Sequence, residues 1–311
     1  MQVAYLISVC LELLYLNHVL AAETSEVTNS KIIGGIALTG NNLKQTPFPE
    51  WLTNFTGLKQ WPGLDPPYIP LSFINMNNIP AYRSYRQGHC LRVSRDACSF
   101  DCHVCLRPDD VGTCRKLSQT FDDGPSQSSL KLINALKNKS TFFVLGINTV
   151  NNPDVYREIM KHDHLMGSHS WSHKFLPSLS NEEIIAQIEW SIWAMNATGG
   201  HYPKWFRPPY GGIDDRVRAI TRQFGLQAVL WDHDSFDWSL ISNRPIKSEE
   251  EIYRDVEGWK KAGTGLLLEH DGVDKTVDVG IKVNEIIGED QLTVAECMGG
   301  IDYIRTFPND F

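Results

Sequence analysis

A basic stripe is what this 311-residue chain most plainly lacks. It carries 37 Asp and Glu against 29 Lys and Arg, a formal net charge of −8, and its sequence pI is about 5.7. That balance excludes a nucleic-acid surface and suits a neutral or cationic substrate. After the first twenty or so residues, no apolar run reaches the roughly 20 residues of a membrane span. Residues Arg305 to Phe311 are polar, so no lipid-anchor tail is expected. The absence of an internal repeat excludes a tandem array.

The amino-terminal stretch has no Lys or Arg before its apolar part, and Glu12 interrupts it. Val3 to Val9 and Leu13 to Leu20 are nonetheless largely apolar, and Val19-Leu20-Ala21-Ala22 offers small residues for cleavage. Residues 1–22 are therefore expected to be a secretory signal peptide. Cys10 leaves with it. Six cysteines remain: Cys90, Cys98, Cys102, Cys105, Cys114 and Cys297. An even set in a secreted chain reads as three disulfides. The alternative is a zinc knuckle, because Cys102-His103-Val104-Cys105 has metal-ligand spacing. Sequons at Asn54, Asn138 and Asn196 suit the same compartment.

Residues 23–115 form a first region. It opens polar, continues rich in Pro and aromatics to about Tyr85, and ends in the cysteine-dense part Cys90 to Cys114. Little regular structure is expected there. It reads as a pad packed on a larger domain, with a groove of aromatic platforms for sugar rings as the alternative. Residues 116–311 alternate strand and helix. Strands are expected at Leu117–Phe121, Thr141–Leu145, Leu165–Ser168, Lys204–Phe206, Gln227–Trp231 and Gly265–Leu268. Helices are expected at Ser126–Lys137, Pro153–Lys161, from Ser180 to Gly199, Asp214–Phe224, Ser248 to about Lys261, and Thr276–Ile287. Ser180 with Glu183, and Ser248 with Glu251, are capping boxes. Ile184, Ile185, Ile188, Ile192 and Met195 form one apolar stripe. The order predicts a parallel α/β sheet with helices outside, as a barrel or an open doubly wound sheet.

Each notable polar cluster falls just after one of these strands, where parallel α/β folds build their sites. Asp122 and Asp123 follow the first strand. A chain that keeps two adjacent carboxylates usually gives them different work, since like charges that close repel. One can hold a cation and the other can take a proton. His169 and His173 are four apart; on a helical turn they share a face and can bind one cation. With Asp123 they make two His and one carboxylate, a set that leaves a position open for water. The same set also fits a non-haem iron oxygenase. Arg207-Pro208-Pro209-Tyr210-Gly211 is stiffened by its prolines, so Arg207 and the Tyr210 amide are held in place. Asp237 and Trp238 lie after one strand and His270 after another. A His–Asp pair raises the imidazole pKa and suits a general acid.

Thr120-Phe121-Asp122-Asp123-Gly124-Pro125, His169-Ser170-Trp171-Ser172-His173, Arg207 to Gly211, Asp234-Ser235-Phe236-Asp237-Trp238 and Leu268-Glu269-His270, in this order, resemble the five motifs of the polysaccharide deacetylases, carbohydrate esterase family four. The resemblance covers roughly Lys116 onward. From Glu189 to Trp238, and again at Trp61-Pro62-Gly63-Leu64-Asp65-Pro66-Pro67-Tyr68, the chain is similar to the sporulation chitin deacetylases of budding yeasts. The resemblance implies a distorted (β/α) barrel. It implies that Asp123, His169 and His173 bind a divalent metal, zinc or alternatively cobalt, and that Asp122 is the general base, positioned by Arg207. It further implies His270 as the acid held by Asp237, the Tyr210 amide on the oxyanion, and Trp238 lining the acetyl pocket. The implied activity is conversion of chitin to chitosan and acetate by a secreted, monomeric enzyme of the spore or cell wall. Peptidoglycan or xylan is the alternative substrate. A non-catalytic chitin-binding wall protein is the alternative class. Nothing in the chain obviously holds a 2-oxo acid, which disfavours the oxygenase. Cys114 and Cys297 flank the barrel in sequence and are expected to staple its ends.

Overall fold

The computed structural model describes residues 45–307, together with the backbone of a short antiparallel pair, Ile32–Ile33 and Ile36–Ala37. The expected signal peptide and Cys10 lie outside the described residues.

The centre is a seven-stranded parallel sheet of β1 (Leu117–Asp122), β2 (Thr141–Val144), β3 (Leu165–Ser168), β4 (Trp205–Phe206), β5 (Gln227–Ala228), β6 (His233–Asp234) and β7 (Gly265–His270). Their order in space is β5-β4-β3-β2-β1-β7-β6. The two edge strands are therefore neighbours in sequence. Laid flat, seven strands would separate their edges by about 29 Å. Only Val229 to Asp232 join the edges, and so short a linker reaches about 17 Å. The sheet must curl, which decides against an open doubly wound sheet and gives the distorted barrel that the resemblance implies. The curl also cuts short the predicted strand Gln227–Trp231. After Val229, which bridges to Val111, the chain is crossing from one edge to the other.

β1 is polar in its middle yet buried along its whole length. Each polar side chain has a partner. Ser118 Oγ accepts the Leu292 amide, Gln119 Nε2 donates to Glu269, and Thr120 Oγ1 donates to the Leu267 carbonyl. Residues at Thr120 and Asp122 share one face of the strand, and Phe121 takes the other against the helices.

The helices are α1 (Glu50–Thr56), α2 (Phe100–His103), α3 (Gln127–Ala135), α4 (Gly146–Asn151), α5 (Pro153–Lys161), α6 (Asn181–Gly199), α7 (Asp215–Gln223), α8 (Glu249–Ala262), α9 (Asp274–Ile287) and α10 (Val294–Met298). Both predicted capping boxes form. Ser180 Oγ accepts the Glu183 amide at 3.2 Å while Glu183 accepts the Ser180 amide at 2.7 Å, and Ser248 and Glu251 repeat the arrangement. α6 differs from its predicted single stripe, being buried all round from Ile184 to Met195. The Pro/aromatic-rich segment causes this: Leu52, Trp61 and Leu64 pack over the side of α6 that carries Trp190 and Trp193.

The disulfides are Cys90–Cys102, Cys98–Cys105 and Cys114–Cys297. Cys102 and Cys105 are thus oxidised with other partners, and the zinc-knuckle alternative is set aside. Cys114–Cys297 spans 183 residues and ties the start of β1 to α10. Replacing Cys297 by Ser is expected to lower stability by roughly 2–5 kcal/mol. Urea unfolding under non-reducing conditions measures it, and an unshifted midpoint would show the staple to be dispensable.

Candidate active site

The carboxyl ends of the strands open into one cavity of about 300 Å³. Asp122, Asp123, His169, His173, Tyr210, Trp238 and His270 line it, as do Gln87 and Asp234. The sequence-predicted polar residues therefore converge, with Arg207 and Asp237 directly behind them.

Arg207 is wholly buried at the end of β4. Its Nη1 donates to Asp122 Oδ1 at 2.9 Å and to Thr120 Oγ1 at 2.6 Å. Its Nε and Nη2 donate to the carbonyls of Val229 and Leu230, both at 3.3 Å. The guanidinium lies over Phe143 at 4.3 Å and Trp231 at 5.5 Å. Burial pulls its pKa down, and Asp122 offsets that. Asp122 is 2 % exposed. Burial pushes its carboxyl up to about 6, although Arg207 and His270 pull it down.

His169 and His173 do not share a helical face. They flank a turn after β3 in which Ser170 (φ 68°) and His173 (φ 60°) adopt left-handed backbone. The turn delivers both rings to one carboxylate. Asp123 Oδ1 lies 3.2 Å from His173 Nε2 and 3.6 Å from His169 Nε2. His169 Nδ1 is 2.8 Å from the Arg207 carbonyl oxygen. A carbonyl only accepts, so Nδ1 carries the proton and the neutral ring presents its Nε2 lone pair to the carboxylates. Burial pushes His169 well below its ordinary range, and it lowers His173 too. Asp123 Oδ1 is buried with no hydrogen-bond donor. Two imidazole nitrogens and an unpartnered carboxylate oxygen are a donor set that fits a divalent cation.

Across the cavity, Asp237 holds His270 twice. Its Oδ2 accepts the His270 amide and its Oδ1 the ring Nδ1–H, each at 2.8 Å. Burial alone pulls this imidazole down, but Asp237, with Asp123 and Asp122 beyond it, overcomes that and lifts it to about 10. His270 therefore carries a proton at neutral pH. The stability it contributes is full below about 6.5 and is lost as pH rises through about 10.

Sequence reasoning missed Asp271, which is fully buried beside His270. Its Oδ1 accepts the Gly124 amide at 2.9 Å, its Oδ2 accepts the Ser129 hydroxyl, and its own amide donates to the Asp122 carbonyl at 3.1 Å. It clamps the loop that carries both site carboxylates. A Cβ on Gly124 would stand 2.4 Å from this carboxylate, so glycine is required there. The available signal was the continuation of a polar run at the end of β7.

The cysteines and sequon asparagines lie away from the cavity. Asn54 is exposed on α1 and Asn196 half-buried on α6. Asn138 is half-buried, its oxygen accepting from Asn284 and Gln291.

Removing the guanidinium by Arg207→Met is expected to cost about 3–5 kcal/mol, because Asp122 is left buried without its partner. The double variant Arg207→Met/Asp122→Asn should recover part of the loss. Strict additivity in chemical denaturation would show that the two do not interact.

A polysaccharide deacetylase family model matches residues 109–229. Chitin deacetylase 2 of Saccharomyces cerevisiae is 67% identical over 263 residues, covering 85% of this chain and 84% of that protein. Chitin deacetylase 1 of the same yeast is 61% identical over 274 residues, covering 88% and 91%. The solved structure of the chitin deacetylase from the fungal pathogen Colletotrichum lindemuthianum superposes with a TM-score of 0.53 at 25% identity, covering 65% of this chain and 97% of that one. With the curled parallel sheet and the converged carboxylates and imidazoles, these likenesses establish that the chain belongs to the polysaccharide deacetylase family.

Proposed function

We propose that this protein hydrolyses the N-acetyl groups of chitin to give chitosan and acetate. The observation that carries the reading is one cavity that holds two adjacent carboxylates in unlike environments opposite His270, which Asp237 holds through its ring Nδ1–H and its amide. The high identity to two chitin deacetylases over most of the chain supports chitin over peptidoglycan or xylan.

Asp123, His169 and His173 are assigned to a divalent metal, and zinc is proposed from the resemblance to the polysaccharide deacetylases. A metal held there supplies Lewis acidity toward the acetamide carbonyl and makes a water acidic near neutral pH. Asp122 is assigned as the base that takes the proton of the attacking water. Burial raises its carboxyl and so its affinity for a proton, with Arg207 and His270 offsetting part of the rise. Arg207 engages one of its oxygens and leaves the other facing the His169 side of the cavity. The Tyr210 amide donates to the oxyanion of the tetrahedral intermediate. As the C–N bond breaks, His270 gives its proton to the departing sugar nitrogen. The water oxygen stays with the acetyl carbon, and acetate leaves. Trp238 lines the side that receives the acetyl methyl.

Three disulfides support an oxidising compartment, and with the chitin deacetylase relatives they support an extracellular or cell-wall protein; a spore-wall location is proposed from the resemblance alone. No helix among the described residues is long and apolar enough to cross a membrane. The exposure of Asn54 suits a glycan there. A monomer is the proposed working form.

Acetate release from chitin oligosaccharides tests the activity. Release should stop with a chelator and return with zinc. No release by folded, metal-loaded protein would overturn the reading. Asp122→Asn should abolish turnover and leave zinc content near wild type, and retained turnover would remove Asp122 as the base. Asp237→Asn takes away the charge that holds the His270 proton. The alkaline limb of the pH–rate profile should then move to lower pH, and an unmoved limb would contradict the pairing.

A further inference from the structure

We propose that the strap Trp61 to Asp65 is a positioning element for the metal site, holding the turn between His169 and His173 from behind. The inference rests on the assignment of those histidines and Asp123 as ligands.

The turn belongs to no helix or strand, and two of its residues have positive φ without being glycine. Such backbone persists only where its surroundings over-determine it. Part of the restraint is internal to the barrel: the carbonyls of Ser170 and Trp171 accept the amides of Gly146 and Ile147, both at 3.0 Å. A further part comes from a segment that precedes the matched family region. Trp171, fully buried between the two histidines in sequence, donates its indole N–H to the Gly63 carbonyl at 2.7 Å. Its neighbour Ser172 donates its hydroxyl to the next strap carbonyl, Leu64, at 2.6 Å. Gln187 of α6 locks the same serine, accepting its amide and donating to its hydroxyl, each at 2.9 Å.

Behind these bonds the strap is itself anchored. Trp61 stacks on Trp171 at 6.2 Å and donates its indole N–H to the Thr46 carbonyl at 2.7 Å. Lys174 pairs with Asp65 at 2.9 Å on the outside of the turn. Two consecutive strap carbonyls thus hold two consecutive turn residues, and His173 is the next residue. Partners bonded directly to metal ligands change affinity about 10–100-fold when removed; the strap acts through the residues between the ligands, so the low end of that range is expected.

The test uses the full chain, stripped with a chelator and titrated with zinc in competition with a chromophoric chelator. Cobalt absorption serves as a reporter of ligand geometry. Ser172→Ala should weaken zinc binding on the order of tenfold and alter the cobalt spectrum, with far-UV circular dichroism unchanged. Trp171→Phe should do the same. If Trp171→Phe fails to fold, Ser172→Ala still decides. Loss of global stability alone does not move the zinc Kd while nearly all molecules stay folded. Wild-type zinc affinity and cobalt spectrum in Ser172→Ala would overturn the strap's role. His173→Ala separates the two readings. If it loses zinc while Ser172→Ala binds normally, the strap inference alone fails. If it binds zinc normally, the ligand assignment itself fails.

Discussion

The structure depends on a cation placed where water cannot reach it. Arg207 is fully buried at the end of β4, and its guanidinium is used up by Asp122, Thr120 and two backbone carbonyls. A buried charge is tolerable only when it is paired and hydrogen-bonded. The partners come from β1 and from the stretch after β5, so the ion pair can form only once the sheet has curled. The same residue's carbonyl fixes the tautomer of His169. One arginine thereby sets both the proposed base and a proposed ligand.

Around that pair, neighbouring carboxylates acquire different characters from different surroundings. Asp122 is enclosed and held by Arg207. Asp123, the next residue, turns through a positive φ of 80° and meets two imidazoles. Asp237 is consumed entirely by His270 and the Trp238 amide. Asp271, pushed up to about 7 by burial, serves as a clamp on the loop. Four acids of like chemistry are separated in role by desolvation and partners.

Much of the architecture was legible in the chain. The capping residues Ser180 and Ser248 announced α6 and α8, and the strand–helix alternation announced β2, β3 and β7. The polar clusters after strands pointed to one mouth, because in a parallel sheet all such ends lie on one side. Less legible were elements that local pattern does not encode. β6 has only two residues and α10 only five. The full burial of α6 depends on a segment more than a hundred residues earlier, which no helical periodicity can report.

The amino-acid sequence by itself determined the alternating α/β order and the identity of the polar residues that meet at the cavity. Those follow from local propensity, spacing and residue chemistry. Only the tertiary structure decided that His169 and His173 lie on a strained turn and not on a helix, that Asp271 clamps the carboxylate loop, and that the strap reaches Trp171 and Ser172. Each of these rests on contacts between residues far apart in sequence, whose energy exists only after the curled sheet and α6 have brought the partners together.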